Sequence, residues 1–529
     1  MRKLLLASAA MLGGTMALVS VASAQVAQNY SGVTAGGPPF PNYAPAGPTP
    51  LGALPIPGPV GGPGFPGTVV PGYGPPLSPG NISVRIVGRM MAYFGVASDS
   101  GRNATVTPTN VGSVGSSGGA VNINAPQANT KLQALGAFTF ARLYPSFDGV
   151  AANGLKYGAF LEIRQDNQSP PGGGANGSIS GSDRARGELY FRRETTYLGT
   201  DQLGQIRVGA TDQPTSLFLT GNFENFDDGG WNGDPALLTG NTQVTWPFED
   251  VGVYYSTTKI VYLSPKFFDM VDFGVSYEPG TGAEGGDSTP GNCNYGTTAN
   301  TGLVGPLITN NSLGCDSAAA TTVASEAGRR RNTFDFVGRF RTAVGPVGVA
   351  LTVGGIEGGH VLYDGAPGPT VTRYNGMSIL DIGTQVTYGG LAAGGHFMYG
   401  RYNGQGGLQP AGGVNANAFV VGSSYTMGSN VIGFHYLNFT SAGSWTQPQA
   451  AQVNGNYVGK TRRENGIAVG DTFTLAPGAY VMVTYLYGQR HQEGVDLLSG
   501  AASGSTYGHV ATNNNTRAQA LFVGTQFRW

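Results

Sequence analysis

Two short strings in the sequence have the spacing of catalytic or cofactor-binding motifs. Gly115-Ser116-Ser117-Gly118-Gly119 fits G-x-S-x-G, the elbow that lifts a serine hydroxyl out of a sharp strand-to-helix turn. Gly172-Gly173-Gly174-Ala175-Asn176-Gly177 fits G-x-G-x-x-G, in which glycines let a backbone approach a pyrophosphate at a helix N-terminus. Neither has the context its chemistry needs. The first lies in a polar loop, and the second follows Pro170-Pro171 and opens no helix. In a chain with 88 Gly such matches arise by chance. His360, His396, His435, His491 and His509 are scattered without ligand spacing, so neither a metal nor a cofactor is expected, and no enzymatic activity.

Cys293 and Cys315 share one polar, Gly/Thr/Asn-rich stretch. A disulfide within that loop is the expected state, contributing about 3 kcal/mol by chain-entropy reasoning. Two free thiols or a metal site fit less well, since no His stands at ligand spacing from either.

The remaining chemistry lies in charged residues set into an alternating pattern. In the stretch 82–96, Ile82, Val84, Ile86, Met90, Ala92 and Phe94 share one face, while Ser83, Arg85, Arg89 and Tyr93 share the other. In 155–164, Leu155, Tyr157, Ala159, Leu161 and Ile163 alternate with Lys156, Gly158, Phe160, Glu162 and Arg164. An apolar face toward lipid and a polar face toward a wet interior account for both. Arg193 resists this phase, falling with Leu189, Phe191 and Tyr197 on the outward face. An arginine there costs about 2 to 4 kcal/mol at the bilayer midplane and about 0 to 1 near an interface.

Continuing the alternation gives strands near 82–97, 130–144, 154–166, 184–198, 205–212, 251–264, 271–279, 331–343, 346–357, 374–388, 391–403, 416–427, 430–440, 461–475, 478–492 and 515–529. The tally is sixteen, an even number. Tight turns such as Gly389-Gly390, Met427-Gly428-Ser429-Asn430 and Ala476-Pro477-Gly478 alternate with long loops at 99–129, 280–330, 441–460 and 493–514. A transmembrane β-barrel sorts its connections in this way, whereas a soluble sandwich or propeller does not.

The flanking segments and composition agree. Arg2 and Lys3 precede an apolar stretch from Leu4 to about Val21 and then Ala22-Ser23-Ala24, so residues 1–24 are expected to be a cleaved signal peptide. A retained anchor would need a basic stop-transfer flank, which does not follow. Residues 25–81 are dense in Pro and Gly and nearly uncharged, and are expected to form a disordered periplasmic leader reaching at most on the order of 170 Å. Contact with the cell wall, or occlusion of the barrel, are the other readings of that leader. No later apolar run reaches the roughly 18 to 20 residues of a membrane helix. A chain with 25 Tyr, 25 Phe and only 11% charged residues suits a lipid-facing barrel, and a net charge of -1 argues against binding nucleic acid.

The chain ends Phe522-Val523-Gly524-Thr525-Gln526-Phe527-Arg528-Trp529. Gly524, Phe527 and Trp529 match the C-terminal assembly signal of outer-membrane barrels; Phe522 stands where that family usually has a polar residue. The segment 259–267 with Val275-Ser276-Tyr277, and the segment 193–199 leading through 204–209, resemble the strand-turn-strand units of Gram-negative general porins. The resemblance covers about 82–529. It implies an all-β, antiparallel transmembrane barrel of 16 strands with an inward-folded constriction loop, assembled as a homotrimer in the outer membrane by the barrel assembly machinery. Such a barrel passes small hydrophilic solutes and ions by passive diffusion.

In that family the loop after the fifth strand narrows the passage, its acidic groups facing a basic wall. The corresponding segment, about Gln213 to Asp250, carries Glu224, Asp227, Asp228 and Asp234, with Glu249 and Asp250 at its end. The facing candidates are Arg85, Arg89, Arg164, Arg186, Arg192 and Arg207. Opposed charges across a low-dielectric gap give a transverse field that orients polar solutes. Simple solvation of the acids, or pairing of inward arginines with Glu162, Glu188 or Glu194, is the structural alternative. A substrate-specific channel, or a barrel anchoring an adhesin or enzyme in its long loops, are the rival functions.

Overall fold

The computed structural model describes residues 80, 82–100, 103–106, 128–131, 134–166, 190–221, 230–233, 236, 238–239, 242–248, 257–280, 330–360, 374–404, 406–443, 452–453, 456–457, 461–493, 497 and 514–529. In chain order the strands are β1 (Ile82–Asp99), β2 (Asn103–Val106), β3 (Ala128–Lys131), β4 (Leu135–Val150), β5 (Lys156–Asp166), β6 (Tyr190–Thr200) and β7 (Gly204–Thr211). One helical turn, α1 (Pro214–Leu217), precedes β8 (Thr257–Leu263), β9 (Val271–Gly280), β10 (Arg330–Val344), β11 (Val347–His360), β12 (Met377–Tyr388) and β13 (Leu391–Arg401). Then come β14 (Ala416–Met427), β15 (Asn430–Ser441), β16 (Gln452–Val453), β17 (Asn456–Tyr457), β18 (Arg462–Ala476), β19 (Ala479–His491) and β20 (Asn515–Arg528).

Sixteen of these strands close one antiparallel barrel, each paired to its sequence neighbour, and β1 with β20 completes the ring. The pairs β2–β3 and β16–β17 are small hairpins outside it. Closure leaves no strand edge bare, the condition for a sheet in lipid. The expected strands map one to one onto the barrel, with shifted ends. The strand expected at 130–144 runs instead from Leu135 to Val150, through Pro145.

Alternation produces the two faces. Val84 is 71% exposed and Phe94 57%, while Arg89 and Met91 between them are fully buried. Tyr388, Tyr425, Phe267, Phe268, Phe527 and Trp529 are exposed where short turns join the strands, as an interfacial aromatic girdle requires. The turns at Gly389 (φ 56°) and Gly428 (φ 60°) use the left-handed backbone that glycine reaches without a Cβ penalty.

The phase expected for Arg193 is corrected by a β-bulge. Glu162 pairs with Arg193 and Ile163 with Phe191, so Arg192 is an extra residue and the strand changes face there. Phe191 therefore points outward, whereas Arg193 and Tyr197 point inward and are buried. At the chain end, Trp529 exchanges backbone hydrogen bonds with Gly88 (3.1 Å each way), and its ring lies over that glycine.

Candidate functional site

The connection from β7 to β8 enters the barrel. Its first turn, α1, starts at Pro214, whose fixed φ suits a helical first turn. Thr215 donates to the Asp335 carboxylate from its hydroxyl (2.5 Å) and its backbone N–H (3.3 Å). The Arg339 guanidinium lies 4.0 Å from the centre of the Phe218 ring, within cation–π range. One turn further, His396 Nδ1 lies 2.9 Å from the Thr220 carbonyl while its Nε2 lies 2.5 Å from Asp381. These contacts carry the segment along the inner faces of β10, β12 and β13.

On the far side the segment is fastened by apolar packing. Trp231 is fully buried, and its indole N–H donates to the Ile467 carbonyl at 3.0 Å. Its ring occupies the space that side chains at Gly466 and Gly488 would need: a Cβ there would fall 2.7 and 2.6 Å from it. Leu238 is seated in the same manner over Gly95 and Gly136. Trp246 packs on Phe248 and His435 (ring centres 5.1 and 5.3 Å apart), and Phe248 packs edge-on against His396. Glu464 accepts from the Thr245 backbone N–H (2.6 Å) and hydroxyl (3.1 Å). Large residues on the segment therefore meet glycines on the wall, and this size match seats the loop.

The inner face of β1 and β4–β7 carries charge beside the glycines that Leu238 covers. Arg164 and Arg193 both bond Glu162, and Arg193 also bonds Asp212 at 2.6 Å. Tyr197 donates its hydroxyl to Asp148, and Lys259 donates to the Thr211 carbonyl at 2.8 Å. Bidentate pairing of Arg339 with Asp272 (2.9 and 2.6 Å) stiffens the wall at β9 and β10. Across four adjacent strands the register places Arg528 opposite Arg89, Arg89 opposite Arg142, and Arg142 opposite Arg164.

Of the residues expected at the site, Arg89, Arg164 and Arg207 are buried on the inner wall. The backbones of Arg85 and Arg192 lie in β1 and β6, while their side chains are outside the described residues. Arg186, Glu224, Asp227, Asp228, Asp234, Glu249, Asp250, Cys293 and Cys315 are also outside them. Sequence reasoning missed Arg142 and Arg528, and Glu464 as the anchor of Thr245. Arg142 alternates with Phe140 and Tyr144, so its face does not read as polar in sequence. Among the described residues no group of three His, Cys, Asp or Glu side chains could hold a metal ion.

The structure is similar to several solved barrels. An anion-selective porin from Comamonas acidovorans shares 15% identity over 85% of this chain and 100% of its own, with a TM-score of 0.44. The outer membrane channel DcaP of Acinetobacter baumannii shares 11% over 86% and 99%, with a TM-score of 0.43. A mutant Rh. blastica porin shares 11% over 84% and 100%, with a TM-score of 0.40. No curated protein matches the chain. The Gram-negative porin family model matches residues 83–492, most of the sequence and nearly all of the barrel. With its closed 16-stranded wall, the chain belongs to the Gram-negative porin family, outer-membrane channels for solute diffusion.

Proposed function

We propose that this barrel is one protomer of a homotrimer through which small hydrophilic solutes and ions diffuse passively, and that it has no enzymatic activity of its own. Residues 1–24 serve as a cleaved signal peptide, 25–81 form a periplasmic leader, and the assembly machinery reads Gly524, Phe527 and Trp529. Glu224, Asp227, Asp228 and Asp234 face the arginine wall across the constriction, and Cys293 and Cys315 bridge an external loop. The observation that carries this reading is the inward segment between β7 and β8, fastened inside the barrel through Trp231 and Thr245, with Arg89, Arg142 and Arg164 aligned on the wall of β1, β4 and β5. A fixed field across a narrow aqueous gap sorts polar solutes by orientation.

Planar-bilayer recording of the purified full chain tests it. Stepwise, ohmic openings in groups of three are expected; a silent protein, or single uncoupled steps, rejects the trimeric channel. Replacing both Arg85 and Arg89 with Glu is expected to move the reversal potential toward cations, and an unchanged potential rejects their place in the constriction. Deleting Trp529, which closes the β1–β20 seam, is expected to lower the yield of heat-modifiable protein in the outer membrane, and normal yield rejects the assembly signal.

A further inference from the structure

We infer that the outward face of β13–β15 and β18–β20, at its long-loop end, is a binding site for a phosphorylated glycolipid headgroup of the outer leaflet, gripped by Arg463 and Arg517 with Arg401 at its flank. The site lies on the outside of the wall, so it goes beyond solute passage and does not depend on it. Arg401, Arg463 and Arg517 share the outward phase of Tyr399, Val469 and Val523 on their own strands. All three are exposed, and among the described residues their side chains have no hydrogen-bonding or ionic partner.

Tyrosines beneath them mark where the hydrocarbon ends. Tyr436 donates its hydroxyl to Asn465 (2.8 Å) and Tyr485 to Gln519 (3.3 Å), while the hydroxyls of Tyr399 and Tyr487 accept from Asn415 (3.2 Å) and Gln489. Each outward ring therefore stands in the apolar band with its polar tip turned to an amide on the long-loop side, the posture of an aromatic side chain at a membrane interface. Arg401, Arg463 and Arg517 stand 10, 13 and 11 residues from the short-turn ends of their strands. For tilted strands that is about 25 to 33 Å, against an apolar band about 25 Å tall. Their guanidinium groups thus meet the headgroup layer, not the acyl chains.

Register brings two of the three together. Arg463 lies opposite His491, and Arg517, opposite Gln489, lies diagonally across from that histidine. Two strand steps separate the arginines by about 10 Å, a span that long side chains close around one phosphate or bracket with two. A guanidinium stays charged and presents parallel N–H donors that match phosphate oxygens. Asn465 and Gln489, on the same face, add amide groups suited to sugar hydroxyls. Above the tyrosines no outward position of these strands carries a carboxylate. The occupant is a lipid because these positions are lipid-facing in phase and lie at the bilayer surface, where anionic headgroups are already in contact with the wall.

The test titrates the purified full-length protein in detergent with diphosphoryl lipid A, with its dephosphorylated form and with inorganic phosphate, and counts bound molecules by native mass spectrometry. Diphosphoryl lipid A is expected to bind, and the dephosphorylated form to bind about fivefold or more weakly. Inorganic phosphate is expected not to displace it, since a free anion lacks the acyl chains that hold a headgroup at this face. R463A and R517A are each expected to weaken lipid A binding about fivefold and the double variant about twenty-five-fold, the scale of one arginine at an anionic surface. R463K keeps the charge and loses the fork, so it is expected to fall between R463A and the wild type, and it serves if R463A does not assemble. K156A, at the short-turn rim, is expected to bind as the wild type does. Equal affinity of the wild type and the double variant, equal binding of the two glycolipid forms, or displacement by inorganic phosphate overturns the site. Weakened lipid A binding by R463A and R517A in a protein that is silent in planar bilayers would support the site while removing the channel reading.

Discussion

Two arcs of the barrel interior share one apolar core but differ in the charge they carry. Along β13–β15, β18 and β19, the wall offers glycines and apolar side chains such as Met398, Val420, Leu437, Met482 and Leu486, and the inward segment fills it with Trp231, Val244 and Trp246. Along β1 and β4–β7 the wall adds Arg89, Arg142, Glu162, Arg164, Arg193 and Arg207 to the glycines under Leu238 and to Met91, Tyr93 and Phe140. Outward residues are apolar on both sides, so lipid does not cause the difference. The large rings of the loop are seated where few charges must be desolvated, and the buried charges of the other arc are held in ion pairs such as Arg193 with Glu162 and Asp212, which offset the cost of burial. A channel interior can in this way be dry where it needs stiffness and charged where it needs a field.

Breaking the apolar side should have the largest effect. W231A removes a fully buried ring and one hydrogen bond, and is expected to cost about 3 to 5 kcal/mol. The released segment should also make single-channel conductance larger and noisier; unchanged heat stability and conductance would mean that the loop is held elsewhere. On the charged side, R193M leaves Glu162 and Asp212 without their shared cation, an expected loss of about 3 to 5 kcal/mol. Adding E162Q and D212N should restore part of it, as measured by the temperature at which the detergent-resistant barrel unfolds, and no restoration would mean that the network is not one unit.

Smaller changes sharpen the contrast. E464A removes the acceptor for Thr245 and is expected to cost about 1 to 3 kcal/mol, whereas E464Q, which can still accept, should cost less. Equal losses in the two variants would show that charge, not hydrogen bonding, matters at that contact. T215V removes the hydroxyl that donates to Asp335 and accepts from Gln213, and is expected to cost about 1 to 2 kcal/mol with little change in conductance. A large conductance change would place α1 at the narrowest point instead of at the root of the loop.

Much of the wall was legible in the sequence because side-chain direction in a strand has period two, and lipid makes one face uniformly apolar. Ile82, Val84, Ile86, Met90 and Phe94 are read correctly as outward, and Arg89 and Tyr93 as inward, for that reason. Arg193 is read on the wrong face because a bulge inserts one residue, and one residue inverts the phase. Arg142 is missed because its inward neighbours Phe140 and Tyr144 are aromatic, which only the packed interior explains. Trp231 over Gly466 and Gly488 joins positions more than two hundred residues apart, with no local pattern to announce it.

The amino-acid sequence alone determined the strand tally, the sorting of turns and loops, and which residues meet lipid, since each follows from local alternation and turn chemistry. Only the tertiary structure decided where the inward segment lies, which arginines stand in one row, and which carboxylates they bond. Those depend on register between strands far apart in the chain, and register is fixed by closure of the barrel and by the packing of large side chains on glycines.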